Sequence, residues 1–375
     1  MPLKTAAVLL LLALSPALLP GQRSIAVEEW GAAPSGERVQ LYTLANSRGV
    51  VLRVTTYGGI LVSLEVPDKA GRRGDVLLGF DSLEGYLGVH PYFGALIGRY
   101  GNRIAKGVFP LDDRLYTLAV NNGANALHGG IQGFDKRVWA AVPFEAADGV
   151  GLKLRYISAD GEEGYPGTLA VEVRYTLTDD NALRLEYQAT TDAPTVLNLT
   201  NHAYFNLKDA GRSPVLDHEV QIEADHYTPV DETLIPLGRP EPVEGTPFDF
   251  REPHKLGERI DADDEQIRFG GGYDHNYVLR RRNADDLEHA VTVYEPTSGR
   301  VMEVWTTQPG VQVYTGNFLD GSVKGKSGVA YQRRAALCLE TQHYPDSPNQ
   351  EAFPSAALYP GELYKSTTEY RFSTR

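Results

Sequence analysis

The sequence predicts an all-β fold, a large antiparallel β-sandwich. Apolar and polar residues alternate with a period of two in segment after segment. Glycine, asparagine and aspartate clusters interrupt the alternation at short intervals, and no long stretch holds the 3.6-residue period of a helix. Length alone would fit about two domains. With no linker, low-complexity tract or internal repeat, the expected organisation is a signal peptide over 1–22 and a single domain over 23–375.

The N-terminal piece comes first in chain order. Lys4 precedes an apolar run from Ala6 to about Leu14, with small and breaker residues after it, which is the layout of a secretory signal peptide. The run is short for a membrane span, and no later segment approaches about 18 consecutive apolar residues. Export to a periplasmic or extracellular location is therefore expected. Next, "GVVLRVTTYGGILVSLEVPDKAGRRG" reads as two strands bent at Gly58 and Gly59, ending in a turn near Asp68 to Gly71. In "LAVEVRYTLTDDNALRLEYQATTD", Val171, Val173, Tyr175 and Leu177 alternate with polar neighbours. Asp179, Asp180 and Asn181 make the turn, and Leu183, Leu185 and Tyr187 resume the alternation as the second arm of a hairpin. Strand patterns recur at "HAVTVYEPTSGRVMEVWTT", "GVQVYTGNFL" and "AALCLETQHY".

One stretch, "LNLTNHAYFNL" at 197–207, alternates unusually. Leu197, Leu199, Ala203, Phe205 and Leu207 form an apolar row broken only by Asn201, which predicts a half-buried strand. Its other row, Asn198, Thr200, His202, Tyr204 and Asn206, carries uncharged hydrogen-bonding groups rather than Lys, Glu or Arg.

Charge and composition exclude several partners. The chain holds 36 Lys and Arg against 49 Asp and Glu; removing 1–22 leaves 35 against 49, a net charge of −14. Such a surface repels phosphate backbones and anionic membranes, so nucleic acid and membrane partners are not expected after signal removal. Cys338 is the only cysteine, so no intramolecular disulfide is possible and a packed core must supply the stability. No histidine pair has zinc-helix spacing and there is no CxxC, so no metal is expected. The P-loop, the GxGxxG fingerprint and the GxSxG elbow are absent too.

Chemistry then rests on short strings: "GRYGNRI" at 98–104, "NALHGGIQGFDKRVW" at 125–139, "LTNHAYFNL" at 199–207, "GGYDHNYVL" at 271–279, "VQVYTGNFL" at 311–319 and "LCLETQHYPDSPNQ" at 337–350. Taken singly their residues are open. Glu340 reads as a rim carboxylate in a surface ion pair or as a partly buried base. His202 reads as a hydrogen-bonded core histidine or a reactive one, and His128 as the shaper of a glycine turn or a ligand donor. Asp274 fits a turn or cap as well as a site, and Arg103 an ion pair. Asn102 alone is uninformative. Gln312 and Tyr314 share one strand face, which fits a pocket wall or an exposed face.

Together, in this order, the strings resemble the aldose 1-epimerase family, the galactose mutarotases, from about residue 30 to the C-terminus. Gly101 stands where the family more often has Ala, and Tyr344 where Phe or Trp is more usual. The resemblance implies the family's β supersandwich and interconversion of α and β anomers of free aldohexoses such as galactose and glucose, with no cofactor. It implies Glu340 as general base at the C1 hydroxyl and protonated His202 as general acid at the ring oxygen. Asn102, Arg103, His128, Tyr204, Asp274 and Gln312 would hold the sugar, and the polar row of 198–206 would be a wall facing it. The partner is a small sugar, and the protein a monomer or weak dimer. Three other classes are distinguishable: a hexose-phosphate epimerase needs a cluster of cations, a glycosidase needs two carboxylic groups at C1, and a sugar-binding module needs neither His202 nor Glu340.

Overall fold

The computed structural model describes residues 21–375, so all but the last two residues of the expected export segment lie outside the described residues. Three antiparallel sheets carry most of the chain. A five-stranded sheet runs in simple order from Ser24–Ala32 through Arg38–Ala45, Val51–Thr55 and Leu61–Pro67 to Arg73–Asp75. A nine-stranded sheet has the hairpin Leu169–Thr178 and Ala182–Thr191 near one end and the C-terminal strand Tyr364–Thr374 at its centre. A six-stranded sheet orders Tyr204–Phe205, Leu337–Gln342, Gly310–Tyr314, Asp274–Leu279, Ala224–Tyr227 and Glu241–Pro242. Among the described residues the α-helices are two short ones, Leu83–Leu87 and Glu265–Gly270.

Local chemistry accounts for the turns read from the sequence. Gly58 and Gly59, at φ 64° and 56°, make the bend between Val51–Thr55 and Leu61–Pro67. The Asp68 carboxylate closes the next turn by accepting from the Ala70 and Arg72 amides at 2.8 and 2.9 Å. In the hairpin, Thr178 Oγ1 accepts from the Ala182 amide and Asn181 takes the left-handed conformation. Apolar residues from all three large sheets merge into one core, including Leu44, Leu52, Leu154, Tyr175, Val311 and Leu339. A smaller cluster containing Phe93, Tyr204, Tyr314, Tyr331 and Cys338 lies beside it.

The segment 197–207 is not one half-buried strand. Thr200–Asn201 pairs with Leu96–Ile97, whereas Tyr204–Phe205 pairs with Leu337 and Cys338. The chain changes partners at His202, whose backbone is held by the Ala95 carbonyl and the Gly94 amide, each at 2.9 Å. Both rows are therefore buried. Asn198 donates to the carbonyls of Gly101 and His343, and Asn206 to those of Ser213 and Ala335. The expected sugar-facing wall thus shrinks to His202 and Tyr204, and the asparagines serve as buried backbone clamps. Period-two alternation cannot distinguish these outcomes, because an asparagine amide satisfies buried carbonyls as well as it does a sugar hydroxyl.

Candidate active site

Strand register assembles half of the site. In an antiparallel sheet, directly opposed residues share a face. Tyr204 opposes Cys338, Cys338 opposes Tyr314, and Tyr314 opposes Asp274. The next row joins Glu340, Gln312 and Asn276. Because i and i+2 share a side, these two rows form one polar patch on the six-stranded sheet. Gln312 links them diagonally, its Nε2 donating to Asp274 Oδ1 at 2.7 Å. Asp274 is thus a strand residue rather than a turn or cap, and Glu340, 2% exposed, is no rim carboxylate.

The other half comes from two strained turns. Arg103–Ile104 pairs with Ala126–Leu127, and the residues flanking this ladder, Asn102 and His128, take φ of 64° and 51°. A non-glycine residue there costs on the order of 1–3 kcal/mol and persists only where its surroundings hold it. Here the Asn102 amide donates to His128 Nδ1 at 3.1 Å, and the His128 amide donates to the Asn102 carbonyl at 3.0 Å. The first bond leaves the His128 proton on Nε2. Gly129 must follow, because at its φ of +86° an added Cβ would lie 1.8 Å from the Gly98 carbonyl oxygen. Arg103 Nε donates to Asn122 Oδ1 at 3.1 Å, which fixes the guanidinium along the wall.

These elements enclose a cavity of about 610 Å³, within the usual range for small-molecule sites. Asn102, Arg103, His128, His202, Tyr204, Asp274 and Glu340 line it; Gln312 stands behind Asp274 rather than at the surface. His202 Nε2 and Glu340 Oε1 face each other at 3.6 Å. His202 Nδ1, Glu340 Oε2 and Gln312 Oε1 have no hydrogen-bond partner among the described residues. Burial pushes the Glu340 carboxyl well up, with Asp274 adding to the effect and Arg103 opposing it. Burial lowers His202 to about 3. Asp274 is raised by burial against Arg103 and its Gln312 bond, and His128 is held neutral by burial. Low polarity favours the neutral forms of both groups, so the ionised Glu340 and protonated His202 expected from the sequence would form against the desolvation of this pair.

Ligand atoms of His128, His202 and Glu340 all fall within 4.8 Å of one another, close enough to surround a cation. With Nδ1 occupied by the Asn102 amide, however, His128 offers the cavity an N–H donor rather than a lone pair. Arg103 is the one permanent cation among the lining residues, a poor match for a phosphate monoester. Sequence reasoning missed Tyr92, Asn122, Thr233, Phe269 and Phe318 in the lining. Only "HPYFGA", with an aromatic beside Pro91, carried a weak signal for Tyr92.

An all-β scaffold thus presents a histidine–carboxylate pair inside a cavity lined by hydrogen-bonding side chains. The family model described as Aldose 1-epimerase matches residues 40–371. A galactose mutarotase of Bos taurus is 51% identical over 320 residues, covering 85% of this chain and 90% of its own. An aldose 1-epimerase of Escherichia coli is 41% identical over 342 residues, covering 91% and 97%. The galactose 1-epimerase structure from Lactobacillus acidophilus superposes with a TM-score of 0.83 at 27% identity, covering 94% of this chain and 99% of that one. The chain belongs to the aldose 1-epimerase family.

Proposed function

We infer that the chain is an aldose 1-epimerase acting on free aldohexoses such as D-galactose and D-glucose. The observation that carries this reading is the His202–Glu340 pair, 3.6 Å apart within the cavity, with unpartnered atoms on both side chains. Glu340 takes the proton of the C1 hydroxyl, the C1–ring-oxygen bond breaks, and His202 delivers its proton to the ring oxygen. The aldehyde rotates about C1–C2, and the reverse transfers close the ring on the other face. Ring opening converts Glu340 carboxylate and His202 imidazolium into carboxylic acid and imidazole. The neutral pair is the one that burial favours, so the same desolvation makes the starting charged groups strong base and strong acid.

Asp274 on the sheet, held from behind by Gln312, acts with Asn102, Arg103 and His128 on the turns to hold hydroxyls of C2 to C6 while C1 swings. Neutral amides, hydroxyls and an imidazole N–H match a ring of hydroxyls with little desolvation cost. Tyr204, stacked on His202 with ring centroids 4.9 Å apart, supports the acid from below. The same reading takes the protein to be exported, a monomer or weak dimer, and a single domain after signal removal.

Polarimetry on freshly dissolved α-D-galactose and α-D-glucose tests the activity. Enzyme-dependent acceleration towards the equilibrium rotation, with no change in sugar composition, is the expected result. Rotation changing at the spontaneous rate would overturn the reading.

A further inference from the structure

We propose that Tyr92 is a positioning residue for this reaction, holding the His202 imidazole in place and stabilising its protonated form through its ring face. The proposal rests on the acid role of His202 given above. Three observations converge on it.

The first is alignment. The Tyr92 ring lies nearly parallel to the His202 ring, with centroids 5.9 Å apart and planes at 17°, while Tyr204 stacks on His202 at 4.9 Å and 11°. The protonating imidazole is thus flanked by two π-systems, whose negative faces attract a cation. The Tyr92 ring also meets His128 edge-on at 4.7 Å, so it spans both histidines of the site.

The second is attachment. Tyr92 sits at φ 60°, a strained conformation for a tyrosine. The turn that carries it is bolted to His202: the Ala95 amide donates to the Tyr92 carbonyl, the Gly94 amide to the His202 carbonyl, and the His202 amide to the Ala95 carbonyl. Asn201 Nδ2 adds a bond to the Gly94 carbonyl at 2.9 Å. This lattice fixes the ring relative to the imidazole and gives the strain a use. Lys136, bound to Asp135 at 2.7 Å, lies 5.5 Å from the Tyr92 ring centroid and restrains it further.

The third is the shortage of other help for the imidazolium. From the sheet, His202 meets Glu340, Tyr204 and Tyr314. From the turns it meets His128 and Tyr92, and His90 acts on it from the same segment as Tyr92. Arg103 and Asp274 share the cavity with opposite charges. Among the described residues Glu340 is the one carboxylate within 4 Å of His202, and it is neutralised as His202 gives up its proton. The rings are the stabilising elements that stay constant through the cycle.

The test is the pH profile of kcat and KM for Tyr92→Leu, which removes the ring, and Tyr92→Phe, which keeps it. Tyr92→Gly suits the left-handed backbone and replaces the leucine variant if that one does not fold. The expected result for ring loss is a fall in kcat of about tenfold with KM nearly unchanged. The limb of the profile on which His202 exchanges its proton should move about one pH unit to acid, the size of a desolvated cation–π contact. Tyr92→Phe should restore the limb to its wild-type position. A fall in kcat with both limbs unmoved, a change confined to KM, or no change would each overturn the proposal. His202→Asn measured alongside separates the two claims. If it keeps wild-type kcat, the acid role itself fails; if it loses activity while ring loss leaves the limbs in place, only the role of Tyr92 fails.

Discussion

In the proposed mechanism His202 and Glu340 share a single proton in the active form, and the pH dependence of the rate follows that count, whichever group carries the proton at rest. At low pH the pair holds two protons and Glu340 cannot act as base. At high pH it holds none and His202 cannot act as acid. A bell-shaped kcat profile follows, with apparent pKa values belonging to the pair. The directions fix the sign: His202, lowered to about 3 by burial, sets the acid limb far down, and Glu340, raised by burial, sets the alkaline limb. Activity should therefore rise from strongly acid pH, hold across a broad plateau, and fall as Glu340 loses its proton. Glu340→Gln and His202→Asn should each lower kcat by at least about 10²-fold with little change in KM, because the loss falls on the transition state. Steady-state polarimetry of the folded variants checks this, and near wild-type kcat in Glu340→Gln would defeat the mechanism. At this scale the motifs single out His202 and Glu340, and the fold brings the two side chains together. The sequence was silent on how deeply they are buried, because that burial comes from segments far apart in the chain, among them 90–95, 102–103, 128 and 274.

Between elements, the two-row patch on the six-stranded sheet explains why the carboxylate, the glutamine and the aspartate come from three separate strands yet act together. Gln312 lies behind Asp274 and holds it, so Asp274→Asn or Arg103→Ala should chiefly raise KM, which initial-rate measurements over a range of sugar concentrations would show. Cys338 occupies the square between Tyr204 and Tyr314, fully buried, with its thiol pushed up by burial. A folded protein should resist thiol reagents, and Cys338→Ala should keep activity within a few-fold. Cys338→Leu should instead overpack against the two tyrosines, costing about 1–3 kcal/mol and lowering Tm in calorimetry. The hairpin at 169–191 and the turn at Asp68 were legible because alternation and turn residues act locally. The break at His202 was not, because it arises from a change of strand partner, from Leu96–Ile97 to Leu337–Cys338, that no local pattern records.

For the whole molecule, the proposed export bears on how the N-terminus joins the fold. Ser24–Ala32 forms the outer strand of the five-stranded sheet, paired along its length with Arg38–Ala45. Just before it, Arg23 crosses to the nine-stranded sheet: its Nε donates to the Asp179 carboxylate at 3.0 Å and its guanidinium to the carbonyls of Ala146 and Ala147 at 2.8 and 3.0 Å. The same carboxylate accepts from the Ser47 amide at 3.1 Å, so Arg23 joins a junction between two sheets. A signal peptidase that cut beyond Arg23 would remove this tie, and a cut beyond Ala32 would leave Arg38–Ala45 as a bare edge open to pairing with other chains. From the Lys4-led apolar run we propose cleavage between about Ser15 and Ala26, and within that window a cut that leaves Arg23 on the mature chain would keep the tie. N-terminal sequencing of protein from a secretion-competent host should therefore find a first residue at or before Arg23, and an intact Met1 on soluble cytoplasmic protein would sink the export reading. Independently of export, a chain beginning at Arg23 should unfold cooperatively in a thermal scan, whereas one beginning at Ala33 should melt earlier and aggregate. Equal melting of the two would show that the outer strand and its arginine contribute nothing to the sheet they close.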